Sequence, residues 1–189
     1  MAKAKKLLKG LRSIHFAPYV DGEFETPQPI LYAKKIENQL NYESETEWAD
    51  DEIVDQSNGY NGGEGTLSVL GLLPTEQKLL FGNEVVKGGV VVKTTDEAPT
   101  GAFLFERGKK GSTHKRLYVI YACKCAPSSF NGETVEEGKA SASENEISYT
   151  ISNLPTGEIY HYIDTDDTTV DPTAITKWFT EVQMPTPIE

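Results

Sequence analysis

Residues 64–82, EGTLSVLGLLPTEQKLLFG, constrain the fold of this chain more than any other stretch. Residues 66–72 alternate loosely between Thr, Val and Leu on one side and Ser and Gly on the other, which predicts a strand. Pro74 ends the ladder, Thr75 is positioned to cap a helix, and Gly82 supplies its stop. A helix this short is unstable alone and must be held by packing. Leu70, Leu72, Leu73, Leu79, Leu80 and Phe81 are therefore assigned to the packing of that helix on a sheet.

Most of the chain reads as strand and turn. The strongest strand is 117–125, LYVIYACKC, apolar on both faces and so central. Phe103 and Phe105 belong to a buried strand at 102–106. A first strand is expected within 11–19, a second at 30–36, and others at 90–93, 141–154 and 159–163. Asp171 as cap and Pro172 at the first position predict a short C-terminal helix through Phe179, with Ile175, Trp178 and Phe179 facing the sheet. Turns are expected at 21–22, 96–99 and 155–157. Further turns are expected at the glycine-rich 57–65, SNGYNGGEG, at the basic tip 107–115, and around the Asn131-Gly132 step. The fold class is mainly β, with one flanking helix and a short C-terminal one.

Residues 40–48 have two unlike faces. Leu40, Tyr42 and Trp48 alternate with Glu43, Glu45 and Glu47. With a turn at 49–52 and a return through 53–56, they predict an acidic hairpin, the core of a loop over about 40–64 that protrudes from the sheet.

Charge is segregated. The net charge is −11, yet residues 1–12 carry Lys3, Lys5, Lys6, Lys9 and Arg12 with no acid. The remainder holds 13 basic against 29 acidic residues, and between Glu37 and Glu64 there is no Lys or Arg. Residues 1–12 are read as a flexible basic arm, 13–182 as one domain, and 183–189 as an extended tail. Such a body does not attract nucleic acid by its overall charge. No apolar run approaches a membrane span, and the lysine-rich start has no apolar region of the signal-peptide kind.

The residues contain no catalytic constellation. His15, His114 and His161 are scattered. SNGYNGGEG lacks the Lys-Ser/Thr end of a phosphate loop. Cys123 and Cys125 fit neither a CxxC pair nor a zinc site. The acidic run 164–171, DTDDTTVD, does not place ligands and a glycine as an EF-hand does. No enzyme activity, metal or cofactor is expected.

The ordered set of features resembles the major tail protein, or tail tube protein, of long non-contractile-tailed bacteriophages of Gram-positive hosts. The resemblance is carried by Trp48-Ala49-Asp50, by GEGTLSVLGLLP at 63–74, and by Leu79-Leu80-Phe81-Gly82. It continues in Asp96-Glu97-Ala98-Pro99, in Leu104-Phe105-Glu106, and in ITKWFTEV at 175–182. It runs from about residue 10 to 182, and no single motif in it is specific. It implies a virion protein with the β-sandwich or split barrel of the tail tube type, whose six-membered rings stack into a conduit for the genome, assembled in the host cytoplasm. It also implies partners: further copies of the chain, a tape measure protein, and tail completion, terminator and distal tail proteins. DNA would only pass through the lumen, and no membrane is involved. Charge segregation then marks the contacts between subunits and rings: Lys3, Lys5, Lys6, Lys9 and Arg12 on one side, and Glu43, Glu45, Glu47, Trp48, Asp50, Asp51, Glu52 and Asp55 on the other. Two alternatives stay open. One is a carbohydrate or host-surface binding module using Tyr160, Tyr162 and Trp178. The other is the inner tube protein of a contractile tail or injection system.

Overall fold

A computed structural model describes residues 6–127 and 144–187. The elements are β1 (Leu8–Val20), β2 (Glu23–Phe24), β3 (Gln28–Pro29), β4 (Ala33–Ala49), β5 (Glu52–Val69), α1 (Pro74–Phe81), β6 (Glu84–Val86) and β7 (Gly89–Val91). They continue with β8 (Thr100–Lys109), β9 (Lys115–Cys125), β10 (Asn145–Ile151), β11 (Tyr160–Asp164) and α2 (Pro172–Lys177). The fold is mainly β with two short helices, an antiparallel sheet folded into a sandwich of split-barrel type.

The order in the main sheet is β2-β1-β8-β9-β10-β5-β4, with β11 also on β9 and β3 also on β1. β9 is where the sheet divides. Its Arg116–Ile120 part pairs with β11, and its Cys123–Cys125 part pairs with β10. Between them Ala122 takes a positive φ of 47°, and the register against β8 shifts. A bulge of this kind bends and twists the strand, letting one continuous strand serve two layers.

One core lies between the layers and contains Phe16, Leu67, Val69, Phe103, Phe105, Ile120, Ile147, Tyr149 and Ile151. Leu79, Leu80 and Phe81 of α1 belong to it. A second core, with Leu104, Leu117, Val119, Tyr121 and Trp178, lies on the far side of β8 and β9. The C-terminal segment covers it. Trp178 Nε1 donates to the Tyr118 carbonyl at 3.3 Å, and Tyr121 donates its hydroxyl to the Gln183 carbonyl at 2.6 Å. β8 and β9 are thus buried on both faces, as the unbroken apolar run at 117–125 implies.

Several expectations are corrected. The helix starts at Pro74 with Leu73 as its N-cap, so Thr75 is not the cap. Buried Glu76 takes over that work: its carboxylate accepts the backbone N–H of Leu73 and of Leu31, each at 2.7 Å. β5 ends at Val69, level with its partners Ala33 and Asn145. Beyond it a single backbone bond continues, from Leu70 N–H to the Tyr32 carbonyl at 3.2 Å; Leu70 and Leu73 are exposed, and Leu72 packs against the core. Gly82 closes α1 with φ 73°, and a Cβ there would stand 2.2 Å from the Glu97 carbonyl oxygen.

The glycine-rich segment is not a turn. It lies within β5, because Tyr149 lies over Gly65, where a Cβ would meet the ring at 2.4 Å. Gly62, with φ 75°, sits where the register between β4 and β5 shifts. The later part of the expected basic arm is strand. β1 begins at Leu8, and Lys9 and Arg12 pair with Gly108 and Glu106 of β8. Lys3, Lys5 and the Asn131-Gly132 step lie outside the described residues. α2 ends at Lys177, with Trp178 at its C-cap.

Candidate assembly surfaces

The β4–β5 hairpin is far longer than its place in the sheet requires. β10 accompanies β5 only from Val69 to Gly63. Beyond that point Tyr42 pairs with Tyr60, and the ladder continues to Ala49 opposite Glu52. The eight residues 42–49, at about 3.4 Å each, carry the ribbon about 27 Å past the sheet. It ends in a two-residue turn, Asp50-Asp51, with φ 52° and 65°. Two positive φ values suit a type I′ turn, which matches the twist of the strands. The turn falls where the sequence places it.

Each face of the ribbon has its own chemistry. Glu43, Glu45 and Glu47 share a face with Asp55 and Glu52. Tyr42, Ser44, Thr46 and Trp48 share the other with Tyr60, Asn58, Gln56 and Ile53. The Tyr42 and Tyr60 rings meet edge to face at 5.6 Å, and Gln56 donates to the Ser44 hydroxyl at 3.2 Å. Tyr60 roots the ribbon by donating its hydroxyl to the Ile151 carbonyl at 2.9 Å. Burial, then the nearby Tyr42 hydroxyl, pushes its pKa up. Trp48, Ile53 and Val54 are exposed at the tip. An isolated two-stranded ribbon is at best marginal in water. Its apolar tip and seven carboxylates without a base in 41–61 make it a candidate contact element.

The second surface is the outward face of β4, β5, β10 and the end of β9. Register sets Lys35, Ser68 and Glu146 in one row, Glu37, Thr66 and Ser148 in the next, and Gln39, Glu64, Thr150 and Lys124 in a third. No apolar side chain stands among them, while the opposite side of the same strands carries the core. Beyond β4 the sheet has no further strand among the described residues, so that edge is open.

The acidic 164–171 loop has its cations supplied by the protein. Arg116 holds Asp164 in a bidentate pair at 2.8 and 2.7 Å, and its guanidinium lies 4.2 Å above the Tyr162 ring. Lys109, almost wholly buried, pairs with Asp164 at 3.2 Å and with Asp166. The Arg116 hydrogen bonds hold the Asp164 carboxyl below the usual carboxylate range, and the Lys109 hydrogen bond does the same for Asp166. Lys115 adds a bond to buried Glu106 at 2.8 Å. Asp164 and Asp166 are thus taken up by ammonium and guanidinium groups. Among the described residues no cluster of His, Cys, Asp and Glu is arranged to hold a metal.

The remaining sequence candidates fall as follows. Leu79, Leu80, Phe81, Phe103, Phe105 and Trp178 are buried; Leu72 and Phe179 are partly so; Leu70 and Leu73 are exposed. Trp178 has 0% exposure, so it cannot join Tyr160 and Tyr162 in a sugar-binding platform. Cys123 and Cys125 are buried free thiols, and burial pushes Cys125 up to about 12. Lys6 is exposed before β1, and Lys9 and Arg12 lie on β1. Sequence reasoning missed Glu76 and Tyr60, whose roles depend on partners 45 or more positions away.

No family model and no curated protein matches this chain. Among solved structures, the chain is similar to one from the cryo-electron microscopy structure of the anti-feeding prophage cap, described as a tube terminating cap. The two are 7% identical over 86% of this chain and 99% of the other, with a TM-score of 0.47. A likeness at that level assigns no role to this chain.

Proposed function

We propose that the chain is a non-catalytic structural protein of a phage tail tube, polymerising with copies of itself as stacked six-membered rings around a conduit for DNA. The observation that carries this reading is the outward face of β4, β5, β10 and β9, wholly polar and ending at an open edge. Copies placed edge to edge continue that face into a wall. The wall is hydroxyl-rich, with Glu37, Glu64 and Glu146 against Lys35 and Lys124. A wall so poor in unpaired cations does not hold a phosphate backbone by ion pairing, as a basic wall does. The protruding acidic ribbon supplies contacts between copies, and open sheet edges are ready templates for pairing.

On this reading the partners are further copies, the tape measure protein within the lumen, and the completion, terminator and distal proteins at the tube ends. The site of action is the virion tail, after assembly in the host cytoplasm. Negative-stain microscopy of the purified protein over a concentration series tests it. Rings or hollow tubes are expected. Replacing residues 42–60 by an Asn-Gly turn is expected to leave a folded monomer that forms none. A wild-type chain that stays monomeric throughout overturns the reading.

A further inference from the structure

A groove of about 640 Å³ opens between the two layers. Its walls are two strand edges. Residues 8–12 of β1 pair only with β8, and β4 pairs only with β5, so the edges facing the groove carry no ladder among the described residues. The floor is apolar and aromatic: Phe105 and Tyr118 stack at 4.8 Å, and Tyr160 beside them is half exposed. The rim carries three cations, Lys34, Lys35 and Arg107, against one carboxylate, Glu37. Among the described residues Lys34 and Lys35 are engaged only in exposed surface pairs, with Glu144 and Glu37, which exchange at little cost. Arg107 has no ion pair among the described residues. On a chain of net charge −11, a cationic rim over an aromatic floor is a local reversal of sign.

The ribbon tip has the complementary chemistry. Trp48 and Ile53 share a face there, and Asp50 and Asp51 form the turn. The ribbon leaves the sheet next to Leu40, at the groove itself, and runs about 27 Å away from it as a hydrogen-bonded ladder. It therefore cannot fold back into its own groove.

We propose that the groove receives the ribbon tip of a second copy. Trp48 and Ile53 lie on the Phe105, Tyr118 and Tyr160 floor, and Asp50 and Asp51 meet Lys34, Lys35 and Arg107. This rests on the self-assembly reading above and names its acceptor surface. The contact is heterologous: each copy offers a tip and a groove at different places, so a copy seated at its tip still has its own groove open. Such contacts close into rings or continue as filaments, according to the rotation between copies.

The test uses the full-length protein with a photoreactive benzoylphenylalanine replacing Trp48. After irradiation, intermolecular adducts are expected on the peptides bearing Phe105, Tyr118 or Tyr160. In parallel, Arg107→Glu is expected to raise the concentration needed for assembly about tenfold, the size of a strong close charge pair. Asp51→Arg in the same chain is expected to restore it. If assemblies form and Trp48 crosslinks elsewhere, or only to a different protein, the docking proposal fails and the self-assembly reading stands. If the wild-type chain does not assemble and the position-48 variant does not crosslink to itself, both fail. Should Arg107→Glu not fold, the crosslink from position 48 still decides.

Discussion

Glu76→Gln tests how the α1 end of the barrel is held. The Glu76 carboxylate accepts two backbone N–H groups, from Leu73 in its own cap and from Leu31 ahead of β4. It is 4% exposed, so water does not substitute. A glutamine of the same shape offers one acceptor oxygen and sets an NH2 against the other N–H. One charge-assisted bond is weakened to a neutral one, and one becomes a buried donor facing a donor. Bonds to charged groups contribute about 1.5–3 kcal/mol and an orphaned buried donor costs about 1–3 kcal/mol, so the substitution costs about 3 kcal/mol. For a domain of this size that lowers Tm by roughly 6–12 °C. Thr75→Ala is the control: sequence reasoning makes Thr75 the cap, worth about 1 kcal/mol, whereas the structure predicts almost no change. Urea and thermal unfolding at concentrations below assembly measure both. A loss under 0.5 kcal/mol for Glu76→Gln, or a full kilocalorie for Thr75→Ala, would refute the assignment of the cap.

Two further outcomes follow from the interior. Asp164 and Asp166 are held below the usual carboxylate range by Arg116 and Lys109, so their contribution is present above the unfolded value of about 3.9 and is lost as pH falls through the folded values. Between about pH 4 and 2 the wild type is expected to lose more stability than Asp164→Asn in parallel urea titrations; equal slopes would contradict the pairing. Gly65→Ala sets a Cβ 2.4 Å from the Tyr149 ring, displacing a side chain that donates to Asn38 and packs 4.8 Å from Phe103. A loss of about 1–3 kcal/mol is expected, and adding Tyr149→Phe is expected not to restore stability, because the ring carbons Cζ and Cε2 stand 2.4 and 2.5 Å from the new Cβ; full restoration would contradict that contact.

Much of the local structure was legible in the sequence for a definite reason. Strand faces repeat every second residue, and helix ends need particular residues, so both leave marks within a few positions. The two faces of 40–48, the turn at 49–52, the doubly buried 117–125 strand and the Asp171-Pro172 helix start all carry such marks. What failed depended on partners far along the chain. Glycines at 62, 63 and 65 read as a turn, yet Tyr149 and the β4 register hold them in a strand. Leu70 and Leu73 read as core, yet the ladder ends at Val69.

The sequence by itself determined the mainly β character, the polarity of each strand face and the segregation of charge, because these are properties of neighbours in the chain. Only the tertiary structure decided where those faces point. It placed the acidic strand on a projecting ribbon, buried Trp178 behind the sheet, and gave the 164–166 carboxylates to Arg116 and Lys109. It also left a cation-rimmed groove between two open edges. Each of these depends on contacts between residues tens of positions apart, and those are set by how β9 divides between two layers.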